Sequence, residues 1–329
     1  MANEKNKYLA GIISPSAPIA AYCPRRLSRG IKFLEKNGFN VLLGKNVSAL
    51  NKFTAGTAQE RADDLNMMLA NKDIKVIILT IGGYNANDIL DLIDYDLARE
   101  NNDKILIGYS DSTVILHALY KKSGLRTVMG PMILPQFAEY PEMQKFSFDS
   151  FLEIIENIGS GKKYKLPVSR EYTEEMLSWD EEDNRPRVME ENKGWIVING
   201  GKSEGVLMPA NLNTLNKIIG TPYMPNLDGA ILFLEDDSDE SASTIQRMLQ
   251  QLKQAGFLSK IKGLVFGRFQ KNSSIANEDL VFILNNIFEH IDFPVLSNVD
   301  FGHTDPILSL PVGVQVKLDT DLLEIEIIL

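Results

Sequence analysis

The first 130 residues alternate short apolar runs with amphipathic stretches, and this alternation restricts the fold more than any other feature of the chain. It predicts a parallel sheet with crossover helices. Strands are expected at Tyr8–Ile13, Phe39–Leu43, Val76–Leu79 and Ile105–Ile107. Val76–Leu79 is apolar on both faces, as a central parallel strand requires. Leu27, Ile31 and Leu34 fall at helical spacing ahead of a stop at Gly38, and Thr57 with Glu60 forms a capping-box pattern before Leu65, Met68 and Leu69. Further helices pass through Ile89, Leu90 and Leu92, and through Val114, Leu116, Ala118 and Leu119. Two strands empty into glycine-containing turns, Gly82-Gly83 and Gly108-Tyr109-Ser110-Asp111, at the strand edge where open α/β sheets bind ligands.

Composition changes near residue 170. Residues 171–192 hold nine acids against Arg185 and Arg187, with little apolar periodicity, and read as a long surface connection. Beyond it, strands are expected at Trp195–Ile198, Ala230–Leu234, Gly263–Phe266 and Gln315–Ile328. Helices are expected at Leu212–Ile219, Ser243–Gln254 and Asp279–His290, giving a second, mixed α+β domain. At 329 residues, two domains are the ordinary expectation. The division reads as 1–165, an acidic connection 166–193, and 194–329.

A net charge of −10 argues against a broad nucleic-acid or anionic-membrane surface, leaving small or cationic partners. The single cysteine, Cys23, rules out an intrachain disulfide and a Cys-rich zinc module, which fits a reducing compartment. Lys5 and Lys7 precede an apolar run that stops at Ser14-Pro15, too short for a secretory core. The best apolar run, Ile74–Ile81, contains Lys75 and Thr80 and falls short of a membrane span. A soluble, cytoplasmic protein is expected.

The chemistry concentrates in Ile105–Thr113. A serine on a sharp strand-to-helix turn projects its hydroxyl above the sheet, and Gly108 and Ser112 on either side let such a turn close. Ser110 therefore reads either as a nucleophile or as a helix N-cap. Of the three histidines, His117 lies two turns further along the same helix and reads as structural, while His290 ends an amphipathic helix. His303 sits in the turn-rich Phe301-Gly-His-Thr-Asp-Pro306 and is the candidate base. Glu235, the first acid after the apolar Ile231–Leu234, is the candidate for orienting it. Asp236, Asp237, Asp239 and Glu240 read as a solvated run or as the next helix's first turn. No His or Cys accompanies them and calcium-loop spacing is lacking, so no metal is expected. The backbone N–H groups of Gly83 and Asp111 are candidates for holding an oxyanion; otherwise the diglycine serves close backbone approach alone.

Taken in order, Gly82-Gly-Tyr-Asn-Ala-Asn-Asp88, Gly108-Tyr-Ser-Asp-Ser-Thr113, Phe233-Leu-Glu-Asp236 and Gly302-His-Thr-Asp-Pro306 resemble the LD-carboxypeptidase family of serine peptidases along essentially the whole chain. The resemblance implies a Rossmann-like parallel-sheet N-terminal domain and a smaller, β-rich, swivelling β/β/α-like C-terminal domain. It implies Ser110 as nucleophile, His303 as base, Glu235 as orienting acid, and Gly83 with Asp111 as the oxyanion hole. It also implies a homodimer that needs no metal or cofactor.

The family has a murein branch, which removes terminal D-alanine from muropeptide tetrapeptides, and a microcin-immunity branch. The latter cuts the bond between an aspartyl group and a nucleotide in a processed peptide antibiotic. Asn85 stands where the murein branch usually has a second glycine, and the acidic connection with Trp179 and Arg185-Pro-Arg187 is similar to the immunity branch's insertion. The resemblance implies that Trp179 stacks on the substrate's base and that Asn211 touches substrate. Pro209 and Ala210 stand where the family has glycines and are expected to stiffen a turn. The substrate expected is a small peptide or a peptidyl- or aminoacyl-nucleotide. The rivals are murein carboxypeptidase activity and a binding protein without chemistry.

Overall fold

A computed structural model describes residues 8–329. Lys5 and Lys7 lie outside the described residues. The chain forms two compact units: the first runs to Phe151 and takes in Glu175–Val188, and the second comprises Leu152–Glu174 and Met189–Leu329. The boundary between them falls inside a helix, Lys145–Asn157.

In the first unit, strands β1 (Tyr8–Ile13), β2 (Phe39–Leu43), β3 (Ile74–Leu79), β4 (Ile105–Gly108) and β5 (Arg126–Met129) pair in the order β5-β4-β3-β1-β2, all parallel. This is a doubly wound arrangement whose order reverses between β1 and β3. Ile77, Ile78 and Leu79 are fully buried, as the two-sided apolar run requires. The helix Ala58–Ala70 starts with the expected capping box, Thr57 and Glu60 each bonding the other's backbone. The helix Thr113–Ser123 (α1) stops at Gly124, which takes a left-handed conformation.

In the second unit, β6 (Lys202–Asn211), β7 (Ala230–Glu235), β8 (Gly263–Gly267) and β9 (Val295–Val299) form a parallel core. Antiparallel strands Ile196–Asn199, Gln315–Asp319, Glu324–Ile328 and Lys163–Lys165 extend it into an eight-stranded mixed sheet. The C-terminal ends of β6, β7, β8 and β9 share one edge. That edge carries Asn211, Glu235 and the loop holding His303.

Three expectations need correction. Gln315–Ile328 is not one strand but a hairpin, because the Asp319 carboxylate caps the turn by accepting the Asp321 and Leu322 N–H groups at 3.0 and 3.1 Å. Pro209 and Ala210 do not stiffen a turn; they lie in β6, in register with Phe233 and Leu234 of β7. Proline is accommodated there because pairing with Gln315–Asp319 ends at Val206. The acidic stretch is no featureless connection either. Glu171–Tyr172 pairs with Glu190–Glu191, and Leu177 and Asp183 are buried.

Candidate active site

Ser110 follows β4 and has φ +61°, a conformation that non-glycine residues rarely adopt. The residue is held in the strained turn of a nucleophile elbow. The N-cap position of α1 is Ser112, so Ser110 is not that helix's cap. Gly108 is required for close approach: a Cβ there would lie 2.7 Å from Leu79 Cδ1. The turn after β3 packs against the elbow, for a Cβ on Gly82 would lie 3.1 Å from Ser110 Cβ and 3.2 Å from the Asp111 nitrogen. Gly83, with φ +146°, occupies backbone space reserved for glycine. Gly82 thus lies against Ser110 and Asp111, and Gly83, the next residue, lies against Ser16 and Ala17, all within the first unit.

Sequence reasoning missed what anchors this turn. The buried Asp111 carboxylate accepts the Ser16 hydroxyl at 2.5 Å and the Ala86 N–H at 2.9 Å. Burial pushes its pKa up, against the pull of these hydrogen bonds. Asn85 takes part through its backbone: its N–H donates to Ser16 Oγ (3.1 Å), and its carbonyl accepts from Arg61 (2.8 Å). A buried arginine in a helical pattern gave no sequence signal of such a role.

In the second unit, His303 Nδ1 lies 2.6 Å from Glu235 Oε2. The hydrogen bond makes Nδ1 the protonated nitrogen of the neutral ring and leaves Nε2 basic. Gly302 has φ +102°, and a Cβ there would fall 2.7 Å from Glu235 Oε2. Burial pulls the imidazole's pKa down, but the Glu235 charge and hydrogen bond, aided by Asp237 and Asp236, override it and hold it at about 9. Glu235 itself is buried at the end of β7.

Asp236 is not part of a solvated run. Only 2% exposed, it accepts hydrogen bonds from Asn211 Nδ2 (3.0 Å) and the Asn213 N–H (2.9 Å). Burial and the neighbouring Glu235 charge raise its pKa to about 7. Asn211 also donates to Glu235 Oε1 at 3.2 Å and accepts the Thr214 N–H at 2.9 Å, so its amide braces the acid pair. Behind the His303 loop, Arg268 pairs with the fully buried Asp300 at 2.7 Å. Neither residue stood out in sequence.

Trp179 lies in the part of the acidic stretch that joins the first unit, and the Arg26 guanidinium sits over its ring, 4.4 Å from the centroid. The next residue, Asp180, accepts the N–H groups of Arg25 and Arg26 (2.7 and 2.6 Å) in the first turn of the helix Pro24–Lys36. Asp183 pairs with Arg26 (2.7 Å) and with Arg29. The other histidines fall elsewhere: His117 is buried in α1, and His290 is exposed three residues past the helix that ends at Ile287. Among the described residues no helix is long and apolar enough to cross a membrane.

Residues 10–130 match the model of the LD-carboxypeptidase N-terminal domain, and residues 204–318 match that of the C-terminal domain. The microcin C7 self-immunity protein MccF of Escherichia coli is 36% identical over 314 residues, covering 94% of this chain and 90% of its own. A probable murein peptide carboxypeptidase of Bacillus subtilis is 30% identical over 315 residues, covering 94% and 88%. A solved structure of MccF in complex with glutamyl sulfamoyl guanosine matches with a TM-score of 0.90 at 33% identity, covering 98% of this chain and 96% of that one. With both domain models matched in order and the likeness to MccF running through sequence and structure, the chain belongs to the LD-carboxypeptidase family of serine hydrolases, in its MccF branch.

Proposed function

We propose that this protein is a serine amidase that hydrolyses the bond between an acyl group, aspartyl in the first instance, and a nucleotide-like moiety of a processed peptide antibiotic. Ser110 Oγ attacks the acyl carbon while His303 Nε2 takes its proton. The Gly83 and Asp111 N–H groups receive the charge that develops on the acyl oxygen. Collapse of the adduct breaks the acyl–nitrogen bond, and His303 returns the proton to the leaving nitrogen. Water then releases the acid from Ser110 by the same steps in reverse. Glu235 keeps the imidazole in the productive tautomer and stabilises the imidazolium.

The observation that carries the hydrolase reading is the strained backbone of Ser110 beside the Gly82-Gly83 turn. The choice of a nucleotide-bearing substrate is supported by the likeness to MccF and by Trp179, whose ring is held on the Arg26 guanidinium. Base stacking on an aromatic face contributes about 1–3 kcal/mol, roughly ten- to hundredfold in affinity. Asn85 and Asn211 are assigned to the substrate's surroundings. A cytoplasmic homodimer belongs to the same reading, its subunit count to be measured by sedimentation.

The murein reading is favoured by the Bacillus subtilis relative. Turnover of aspartyl sulfamoyl adenosine and of a muropeptide tetrapeptide by the purified protein separates the two. Faster cleavage of the nucleoside compound is expected, and preferential release of D-alanine would reverse the assignment. Ser110→Ala tests chemistry against sequestration: it should abolish turnover, whereas undiminished protection of cells by that variant would point to binding alone.

A further inference from the structure

We propose that Ser16, Arg61 and the carboxylate of Asp111 are positioning residues that set the two oxyanion donors as one rigid piece. This rests on the reading of Ser110, Gly83 and Asp111 given above. The three anchors come from different parts of the first unit: Ser16 follows β1, Asp111 follows β4, and Arg61 lies on the helix Ala58–Ala70. Between them runs the turn after β3 that carries Gly83.

Local preference does not fix that turn. Gly83 at φ +146° has no side chain to limit its backbone, so its N–H direction depends on what grips the neighbouring residues. On one side, Asp111 Oδ2 accepts both Ser16 Oγ–H (2.5 Å) and Ala86 N–H (2.9 Å), and Ser16 Oγ in turn accepts Asn85 N–H (3.1 Å). On the other, Arg61 donates to the carbonyls of Pro15 (2.7 Å) and Asn85 (2.8 Å) and to the Asp88 carboxylate (2.9 Å). Arg61 is 2% exposed, and a guanidinium is costly to bury. A turn held only for packing does not need a buried fork that reaches two backbone segments and a carboxylate.

Asp111 therefore works at both ends. Its N–H is one oxyanion donor, and its side chain holds the turn that supplies the other. The separation of the donors is set by this clamp, and loosening it changes where both point. Donor loss of this kind costs about 10²–10³ in rate, and a 1 Å misplacement can cost about 10².

The test is saturation kinetics of a fluorophosphonate on the full chain, a probe that needs no knowledge of the natural substrate. Ser110 Oγ bonds to phosphorus, fluoride leaves, and the hydroxyl proton passes to His303, with charge developing on the phosphoryl oxygen. Reversible binding (KI) and the chemical step (kinact) are read separately. Ser16→Ala and Arg61→Met should lower kinact about 10- to 100-fold with KI within about twofold of wild type. Arg61→Lys should fall between, since an ammonium lacks the fork that joins two backbone segments. Should Arg61→Met fail to fold, Ser16→Ala and Arg61→Lys still decide.

Unchanged kinact in Ser16→Ala and Arg61→Lys overturns the proposal. So does a parallel change in KI and kinact together with a lowered thermal midpoint, which marks a merely structural role. A wild-type chain that takes no label at Ser110 instead overturns the nucleophile reading on which the proposal stands.

Discussion

Glu235 Oε2 and His303 Nδ1 lie 2.6 Å apart, joining the end of a buried strand to a loop 68 residues later. Because the carboxylate holds the imidazolium, with a pKa of about 9, the base of the free protein carries a proton at neutral pH. Activity should therefore rise with pH, kcat/KM climbing through an apparent pKa well above the usual histidine value of about 6.5. A pH–rate profile that is flat above pH 7 would contradict this.

Glu235→Gln removes the charge that favours the imidazolium, so the His303 pKa should drop toward or below its ordinary value while turnover falls by about four orders of magnitude. Turnover assays and an NMR titration of the imidazole measure the two effects. Normal activity in this variant removes Glu235 from the mechanism.

Asp236 makes a separate, pH-linked contribution. Its pKa of about 7 exceeds the unfolded aspartate value of about 3.9, so the folded chain binds the extra proton between those limits. The stability from that proton is full below about pH 3.9 and is lost as pH rises through about 7. Asp236→Asn does not ionise, so its thermal midpoint relative to wild type should climb from pH 4 to pH 7. A difference that stays constant or shrinks over that range would count against the burial account.

Gly302→Ala places a methyl group 2.7 Å from Glu235 Oε2 at a φ of +102°. Backbone strain of this kind costs about 1–3 kcal/mol, and Glu235 must move away from His303. A loss of activity of more than about tenfold is expected, with a lower thermal midpoint. A fully active, equally stable variant would show that the loop adapts.

Much of this was legible in sequence because it rests on local rules. The parallel strands of the first unit, the glycine turns at their ends and the strain-prone Ser110 all follow from short-range patterning. The pairing of His303 with Glu235 was expected from roles, since one loop histidine and one strand-end acid stood out. What escaped lies in long-range contacts. Arg61 and Ser16 look ordinary in the chain, and only the meeting of β1, β3 and β4 at one edge reveals what they hold. Asp236 looked solvated because adjacent acids usually are, and Asn211 and Asn213 supply the hydrogen bonds that bury it. Strand β6 was hidden by Gly205, Pro209 and the charged residues of its first half.

Trp179→Ala should raise KM for a purine-bearing substrate about ten- to hundredfold, with little effect on a muropeptide. Paired assays on the two substrate classes test this. Equal effects on both would make the indole a packing anchor for the acidic segment, stacked on Arg26 for that purpose alone.

Ser110 is expected to form a covalent bond with the acyl group during turnover. Intact-mass spectrometry after fluorophosphonate treatment, with peptide mapping of the adduct, tests it most directly. One adduct per chain on Ser110, absent in Ser110→Ala, is the expected result. No adduct on the wild-type chain, or one that maps to another residue, would contradict it.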